Sequence, residues 1–212
     1  MKIANQKLLA AITLSACLGG ALTACAPIIV GGAVVGTMMA TDRRTSGAQV
    51  EDEGIELKGA SRIGDKLGDR GHVNITSYNR QVLLTGEVPS AQDSQSVEQL
   101  VSKVENVRSV VNELAVMENS TLSQRTSDAV ITTKIKAGMI DTQDLLASAF
   151  KVVTERGVTY LMGRVTQREA NRATELVRGV DGVKKVVRMM EIISEEELQR
   201  ALPQQTSGEA KK

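Results

Sequence analysis

Aromatic side chains are nearly missing from this chain: Phe150, Tyr78 and Tyr160 are the only three, and there is no tryptophan. Platforms that stack nucleobases need several such rings, so nucleic acid is not an expected partner. His72 is the single histidine, which excludes a multi-histidine metal site and leaves any histidine-dependent triad resting on one residue. It sits beside Asp69 and Arg70 in a Gly-flanked stretch and reads as a surface turn residue. The two cysteines, Cys17 and Cys25, both fall in the first 25 residues, so the body of the chain holds no disulfide framework or thiolate zinc cluster. No serine has a Gly-x-Ser-x-Gly context, and no Gly-rich phosphate loop runs into Lys-Ser/Thr. The expectation is a protein that is not an enzyme and carries no metal. Its 212 residues, 42% hydrophobic and 24% charged, give room for one ordinary globular domain or two small ones.

The start of the chain reads as an address. Met1–Lys7 carries Lys2 and Lys7 and no acid, and Leu8–Ala24 is apolar or small throughout, the pattern of a bacterial export signal. It closes on Leu22-Thr23-Ala24-Cys25, which resembles the lipobox of bacterial lipoproteins. A second match, Leu14-Ser15-Ala16-Cys17, would leave an apolar core of only about seven residues, at the lower limit for a signal, so Cys25 is the expected lipidation site. An uncleaved membrane anchor is the alternative, but Pro27, Gly31 and Gly32 interrupt the apolar run. The resemblance implies a diacylglycerol on the Cys25 sulfur, cleavage before it (residues 1–24 as signal peptide) and an N-acyl chain on the new terminus. No other cofactor is expected. Ala26, rather than Asp, after the cysteine implies transfer to the outer membrane, with the mature chain facing the periplasm. Residues 25–49 then form the lipidated cysteine and a flexible tether. Within them, 26–40 is too short to span a bilayer and either hangs free or rests in the headgroup zone, and Thr41–Gln49 reads as polar linker.

The body is one unit written twice. Val73–Val88 (VNITSYNRQVLLTGEV) returns 77 residues on as Phe150–Val165 (FKVVTERGVTYLMGRV). Both are β-branched runs about a turn, Tyr78-Asn79-Arg80 or Glu155-Arg156-Gly157, that close on Leu-x-Gly-x-Val, and so read as hairpins. The shared glycine, Gly86 or Gly163, marks a bend or a close approach by a helix. A helix follows each hairpin, with Val97, Leu100, Val101 and Val104 on one stripe and Ala170, Ala173, Leu176, Val177 and Val180 on the other. A third strand comes next, from Val107 and from Val183. Before each hairpin stands another helix: Asp128–Met139, N-capped by Ser127 or Asp128, and Gly54–Leu67, which Gly54, Gly59 and Gly64 should weaken or break. The fold class is therefore α+β, two tandem α-β-β-α-β units, each a small three-stranded sheet with two helices on one face. The expected bounds are 50–118 and 119–193, followed by a polar C-terminal tail, 194–212, that begins as a short helix.

This repeat resembles a tandem pair of BON domains, on the paired Leu-x-Gly-x-Val hairpins and the Val-x-x-Val-x-x-Val-Val strands at Val104–Val111 and Val180–Val187. Asn106 departs from that pattern where Gly182 keeps it. With the lipobox, the Ala40–Arg44 stretch (ATDRR) and Ile131–Ile135 (ITTKI), the chain resembles dual-BON outer-membrane lipoproteins of Gram-negative bacteria, the division- and stress-associated kind. The resemblance implies binding of anionic phospholipid and support of outer-membrane integrity, with outer-membrane assembly or division proteins as partners in a rival reading. A monomer is expected.

Charge supports a membrane role. Glu51–Glu118 holds seven Lys/Arg against twelve Asp/Glu, whereas Asn119–Ile193 holds twelve against eight. An acidic unit beside a basic one suits attraction of the second to an anionic bilayer, within the short reach that salt allows. Arg164, Arg168, Arg172 and Glu169 read as a solvated helix face. The first helix of the second unit has apolar residues on two faces. Ile131, Ile135 and Met139 serve the core, while Val130, Ala137 and Ile140 lie elsewhere, with Thr133 and Lys134 between them. That surplus either packs on the first unit or enters a membrane shallowly, Lys134 or Lys136 reaching phosphates. Leu145 and Leu146 extend the candidate patch. By resemblance this helix is the phospholipid-binding element, with Val130 where a bulky aromatic would suit the headgroup boundary.

Overall fold

Two-residue turns set the fold going. In the computed structural model, which describes residues 42–201, Asn79 and Arg80 have φ of 49° and 64°, and Arg156 and Gly157 have 52° and 76°. Positive φ at both central positions matches the strand twist, so each turn closes an antiparallel hairpin. The hairpins are β1 (His72–Tyr78) with β2 (Gln81–Val88), and β5 (Phe150–Glu155) with β6 (Val158–Thr166). Ahead of them run α1 (Ser46–Leu67) and α3 (Leu122–Asp141). Behind them α2 (Ala91–Ser102) and α4 (Gln167–Arg178) carry the chain over to a strand parallel to the hairpin's second strand. That last strand is continuous in the second unit, β7 (Lys185–Ile193), and split in the first into β3 (Ser109–Asn112) and β4 (Ala115–Val116). The split follows from Asn112, whose Oδ1 accepts the Leu114 N–H at 3.2 Å and turns the backbone aside. A short α5 (Glu195–Ala201) opens the expected tail. Cys17, Cys25, the signal segment, the tether before residue 42 and the tail after 201 lie outside the described residues.

The order α-β-β-α-β thus occurs twice, with sheets ordered β1-β2-β3 and β5-β6-β7. Three expectations are corrected. Helix α1 is neither broken nor short: Thr45 caps it inside the stretch read as linker, and it runs unbroken for 22 residues. Gly59 is buried against Ile75, so tertiary packing overrides its poor helix propensity. Helix α3 begins at Leu122 with Thr121 and Gln124 as a capping box, so Asp128 is a buried mid-helix residue rather than an N-cap. The Leu-x-Gly-x-Val glycines are needed where the hairpin's first strand begins, not for a packed α-helix: a Cβ on Gly86 would lie 2.0 Å from the carbonyl oxygen of His72, and one on Gly163 2.4 Å from that of Ala149, just before β5. Asn106, the departure from the repeat, adopts φ 68° where Gly182 adopts 97°, and asparagine tolerates that region best among side chains with a Cβ.

Each sheet is buried on both faces. Val82, Leu84 and Val88 of β2 point to α1 and α2, meeting Ile55, Ile63, Val97 and Val101. Leu161 and Val165 of β6 likewise meet Ile135, Met139, Ala173 and Val177. The intervening residues point the other way, and there the sheets meet: Tyr78 and Leu83 pack with Tyr160 and Met162, with Val111, Val153 and Val187 around them. The Tyr78 hydroxyl accepts the Arg164 N–H at 3.2 Å, and the Tyr160 hydroxyl donates to Glu113 at 3.3 Å. Asn79 donates to Glu191 at 2.7 Å, and Lys151 pairs with Glu56 at 2.6 Å.

A buried aspartate ties helix to turn in both units, a feature the sequence reading missed. Asp128 accepts the N–H groups of Arg156 and Gly157 at 2.7 and 2.8 Å. Asp52, 76 residues earlier, accepts those of Asn79 and Arg80 at 2.7 and 2.8 Å, together with the Ser77 hydroxyl at 2.6 Å. Arg44 adds an ion pair to Asp52 at 2.8 Å and stands 4.4 Å over the Tyr78 ring. Burial pushes the Asp52 carboxyl up, but the bonds from Ser77, Arg80, Arg44 and Asn79 outweigh it and hold the group below its ordinary 3.8.

Three outcomes follow. Asp128→Ala strands two turn amides, one buried and one part-buried, and should lower urea-unfolding stability by about 2–3 kcal/mol. Gly64→Ala, on an exposed turn of α1 with open space around the new Cβ, should raise it by about 0.5–1 kcal/mol. Because the folded Asp52 value lies below the unfolded one, its stabilisation is full above about pH 4 and is lost as pH falls through the folded value. Urea midpoints measured from pH 7 to pH 2 should therefore drop more steeply for the native chain than for Asp52→Asn.

Candidate functional site

With the sheets face to face, the helices face outward, and α3 presents one face that neither unit covers. Its 20 residues extend about 30 Å. Ile131, Ile135 and Met139 are buried in the second core, while Val130, Thr133, Lys134, Ala137 and Ile140 are all exposed. Exposure of 49% at Val130 and 72% at Ile140 excludes packing of this face on the first unit. Steps of three and four join Leu122, Thr126, Val130, Thr133, Ala137 and Ile140 into one stripe. Leu122, 80% exposed, was missed because the helix was expected to start six residues later. Lys134 and Lys136 are exposed on opposite flanks of the stripe. Leu145 and Leu146 do not join it: Leu145 is buried in the core and Leu146 packs against the same cluster. A short helical turn, Ala147–Ala149, feeds β5 and draws both leucines inward.

The polar stretch before α1 is anchored rather than free. Arg43 grips Glu169 of α4 with two hydrogen bonds, 2.7 and 2.8 Å, and donates to the Arg164 carbonyl at 3.1 Å. Its neighbour Arg44 holds Asp42 and Asp52. Adjacent arginines thus fasten the chain to the second and first units respectively. Glu169 is therefore no solvated helix residue. It is buried, closes the Thr166 capping box, and has its carboxyl lowered: burial pushes it up, but Arg43 and Thr166 prevail. Arg164 is likewise engaged, with Glu191 and Glu197. Arg168 and Arg172 remain half-exposed near Asp144.

Where the two sheets meet near the start of β1 lies a polar cluster that sequence reading placed in solvent. His72 is the first residue of β1, not a turn residue, and its Nδ1 is 3.3 Å from Glu87 Oε2. Glu87 is fully buried and also accepts the Ser120 N–H at 3.0 Å. Glu155, from the second unit, accepts Asn74 Nδ2 at 2.9 Å. Burial first, and the charge of Glu87 after it, push the Glu155 carboxyl above its ordinary value despite the Asn74 bond. Alternation could have revealed the shared strand face of His72, Asn74 and Tyr78. Nothing in the sequence could have revealed that a second sheet covers it.

The BON domain model matches residues 52–118 and 127–194, one match on each α-β-β-α-β copy. The chain is 35% identical over 174 residues to the outer membrane lipoprotein DolP of Haemophilus influenzae, covering 81% of this chain and 90% of that one. It is 32% identical over 154 residues to the 21 kDa hemolysin of Actinobacillus pleuropneumoniae, covering 72% and 79%. To the osmotically-inducible protein Y of Escherichia coli it is 29% identical over 117 residues, covering 54% and 58%. The two copies of one fold and this relationship give the chain an envelope-associated role: it belongs to the BON-domain family, as a tandem member related to outer-membrane lipoproteins.

Proposed function

We propose that this protein is a lipid-anchored outer-membrane protein whose second BON domain makes a weak, composition-sensitive contact with anionic phospholipid through α3. The observation that carries this is the uncovered apolar stripe of Leu122, Val130 and Ile140 with lysines on its flanks. Burying the exposed parts of those three side chains is worth on the order of 4 kcal/mol, which corresponds to a dissociation constant of about a millimolar. Each lysine near an anionic surface adds about 1 kcal/mol. A contact of that strength does not hold a protein on a membrane alone. It works as a second signal when acyl chains on Cys25 already keep the domain at the surface. The protein then reads local lipid composition and contributes to outer-membrane integrity, facing the periplasm, with division sites as one place where such lipid would gather. No reaction is involved.

A second reading has a separate observation behind it. Val50 and Leu57 of α1 are 68% and 73% exposed, beside Glu53 and Glu56, and an acidic apolar surface suits a protein partner better than an anionic bilayer. In that reading the chain is a lipid-tethered scaffold for envelope assembly machinery.

The test uses the soluble part of the chain from Thr41, titrated with anionic and with neutral phospholipid micelles and followed by NMR. Shifts should concentrate at Leu122–Ile140 with anionic lipid alone. Val130→Glu with Ile140→Glu should abolish them while leaving the circular dichroism spectrum intact. An equal response to neutral micelles, or none, would overturn the lipid reading.

A further inference from the structure

We infer that the junction of the two BON domains is a binding site for one divalent cation of the zinc class, held by His72, Glu87 and Glu155. Imidazole nitrogen and carboxylate oxygen are both zinc donors, and three protein ligands leave a fourth position open. Among the described residues this is a group in which one such atom from each residue lies within 4.8 Å of the others. Tetrahedral ligands about 2.1 Å from a metal stand about 3.4 Å apart, so small side-chain rotations complete the closure.

Two independent features point to a ligand rather than to a mere charge cluster. Glu87 is fully buried, and its Oε1 accepts no hydrogen bond; its neighbour there is Arg156 Nη1, 3.6 Å away. A buried carboxylate oxygen left without a donor is costly, and a cation at this point satisfies it. Two of the three, His72 and Glu155, also line a cavity of about 400 Å³ with Asn74, Arg125 and Asp128, room for a cation and its water. Asp128 is not a ligand, since turn amides occupy both its oxygens. The supporting bonds from Asn74 to Glu155 and from Ser120 to Glu87 orient the two carboxylates as outer partners of a metal site do. Charge permits the addition. Glu87, Glu155 and Asp128 face Arg156 and Arg125, which leaves one negative charge when His72 is neutral.

His72 and Glu87 belong to the first domain and Glu155 to the second, so a bound cation joins the two. The inference stands apart from the lipid contact: the cavity takes Arg125, Asp128, Ala129 and Thr132 of α3, whereas the lipid contact takes Leu122, Val130 and Ile140. The single histidine makes the test clean. The full chain, carrying no added histidines, is titrated in detergent with zinc chloride alone, with calorimetry for stoichiometry and imidazole ¹⁵N NMR for His72. One zinc per chain, displaced His72 ring signals, and binding weakened about tenfold or more by His72→Ala and by Glu155→Gln are expected. Circular dichroism checks that the variants fold, and Glu155→Gln decides alone if His72→Ala does not. Unmoved His72 signals at millimolar zinc, or full affinity in the folded Glu155→Gln chain, would overturn the site.

Discussion

Burial of the second face of each sheet is the constraint from which the other features descend. A three-stranded sheet with two helices needs only one face in the dark. Here Tyr78 and Leu83 of one domain close on Tyr160 and Met162 of the other, so two small cores and the layer between them support one another. A domain of about 70 residues is close to the smallest that holds a core by itself, and doubling it back to back relieves that limit. Two of the three aromatic residues are spent on this layer, each with its hydroxyl bonded across it or at its edge.

The same packing sorts surfaces by role. Helices are turned outward, so α3 keeps its core stripe and offers its other side to whatever lies outside. The positions of the first domain's acids and the second domain's bases then matter, because only groups near a surface act through salt. The arginine pair ahead of α1 fastens the start of the described chain. Arg43 is locked to Glu169 and Arg44 to Asp52, so this stretch is held to both domains at their seam.

Polar residues trapped by that packing carry the chemistry. Strand alternation sends His72, Asn74, Glu87 and Glu155 to the same side, where Glu87 and Glu155 are buried, His72 is partly buried and Asn74 stays exposed. The pair of aspartates shows the satisfied case: Asp52 and Asp128 have turn amides on their oxygens. Glu87 is the exception, with one oxygen short of a donor. That oxygen faces Arg156 Nη1 at 3.6 Å, an ion pair too long for a hydrogen bond.

Much of the fold was legible from local rules. Period-two runs and turn residues marked both hairpins, 3.6-residue stripes marked the helices, and the repeat fixed their order, because each of these patterns is set by neighbours a few residues apart. The exposed face of α3 was legible for the same reason: Ile131, Ile135 and Met139 already used up one side of the helix. What failed were judgements that depend on distant neighbours. Three glycines suggested a broken α1, yet Ile75 packs on Gly59 and the helix holds. Leu145 looked like part of a surface patch, yet the chain turns it inward. Glu169 and His72 looked solvated, and each is covered by a residue more than 80 positions away in sequence, Arg43 in one case and Glu155 in the other. Sequence by itself determined the units, their strand faces and the helix stripes, since backbone geometry dictates which residues share a side. Only the tertiary structure decided which polar faces lose their water, since that depends on one domain closing on the other.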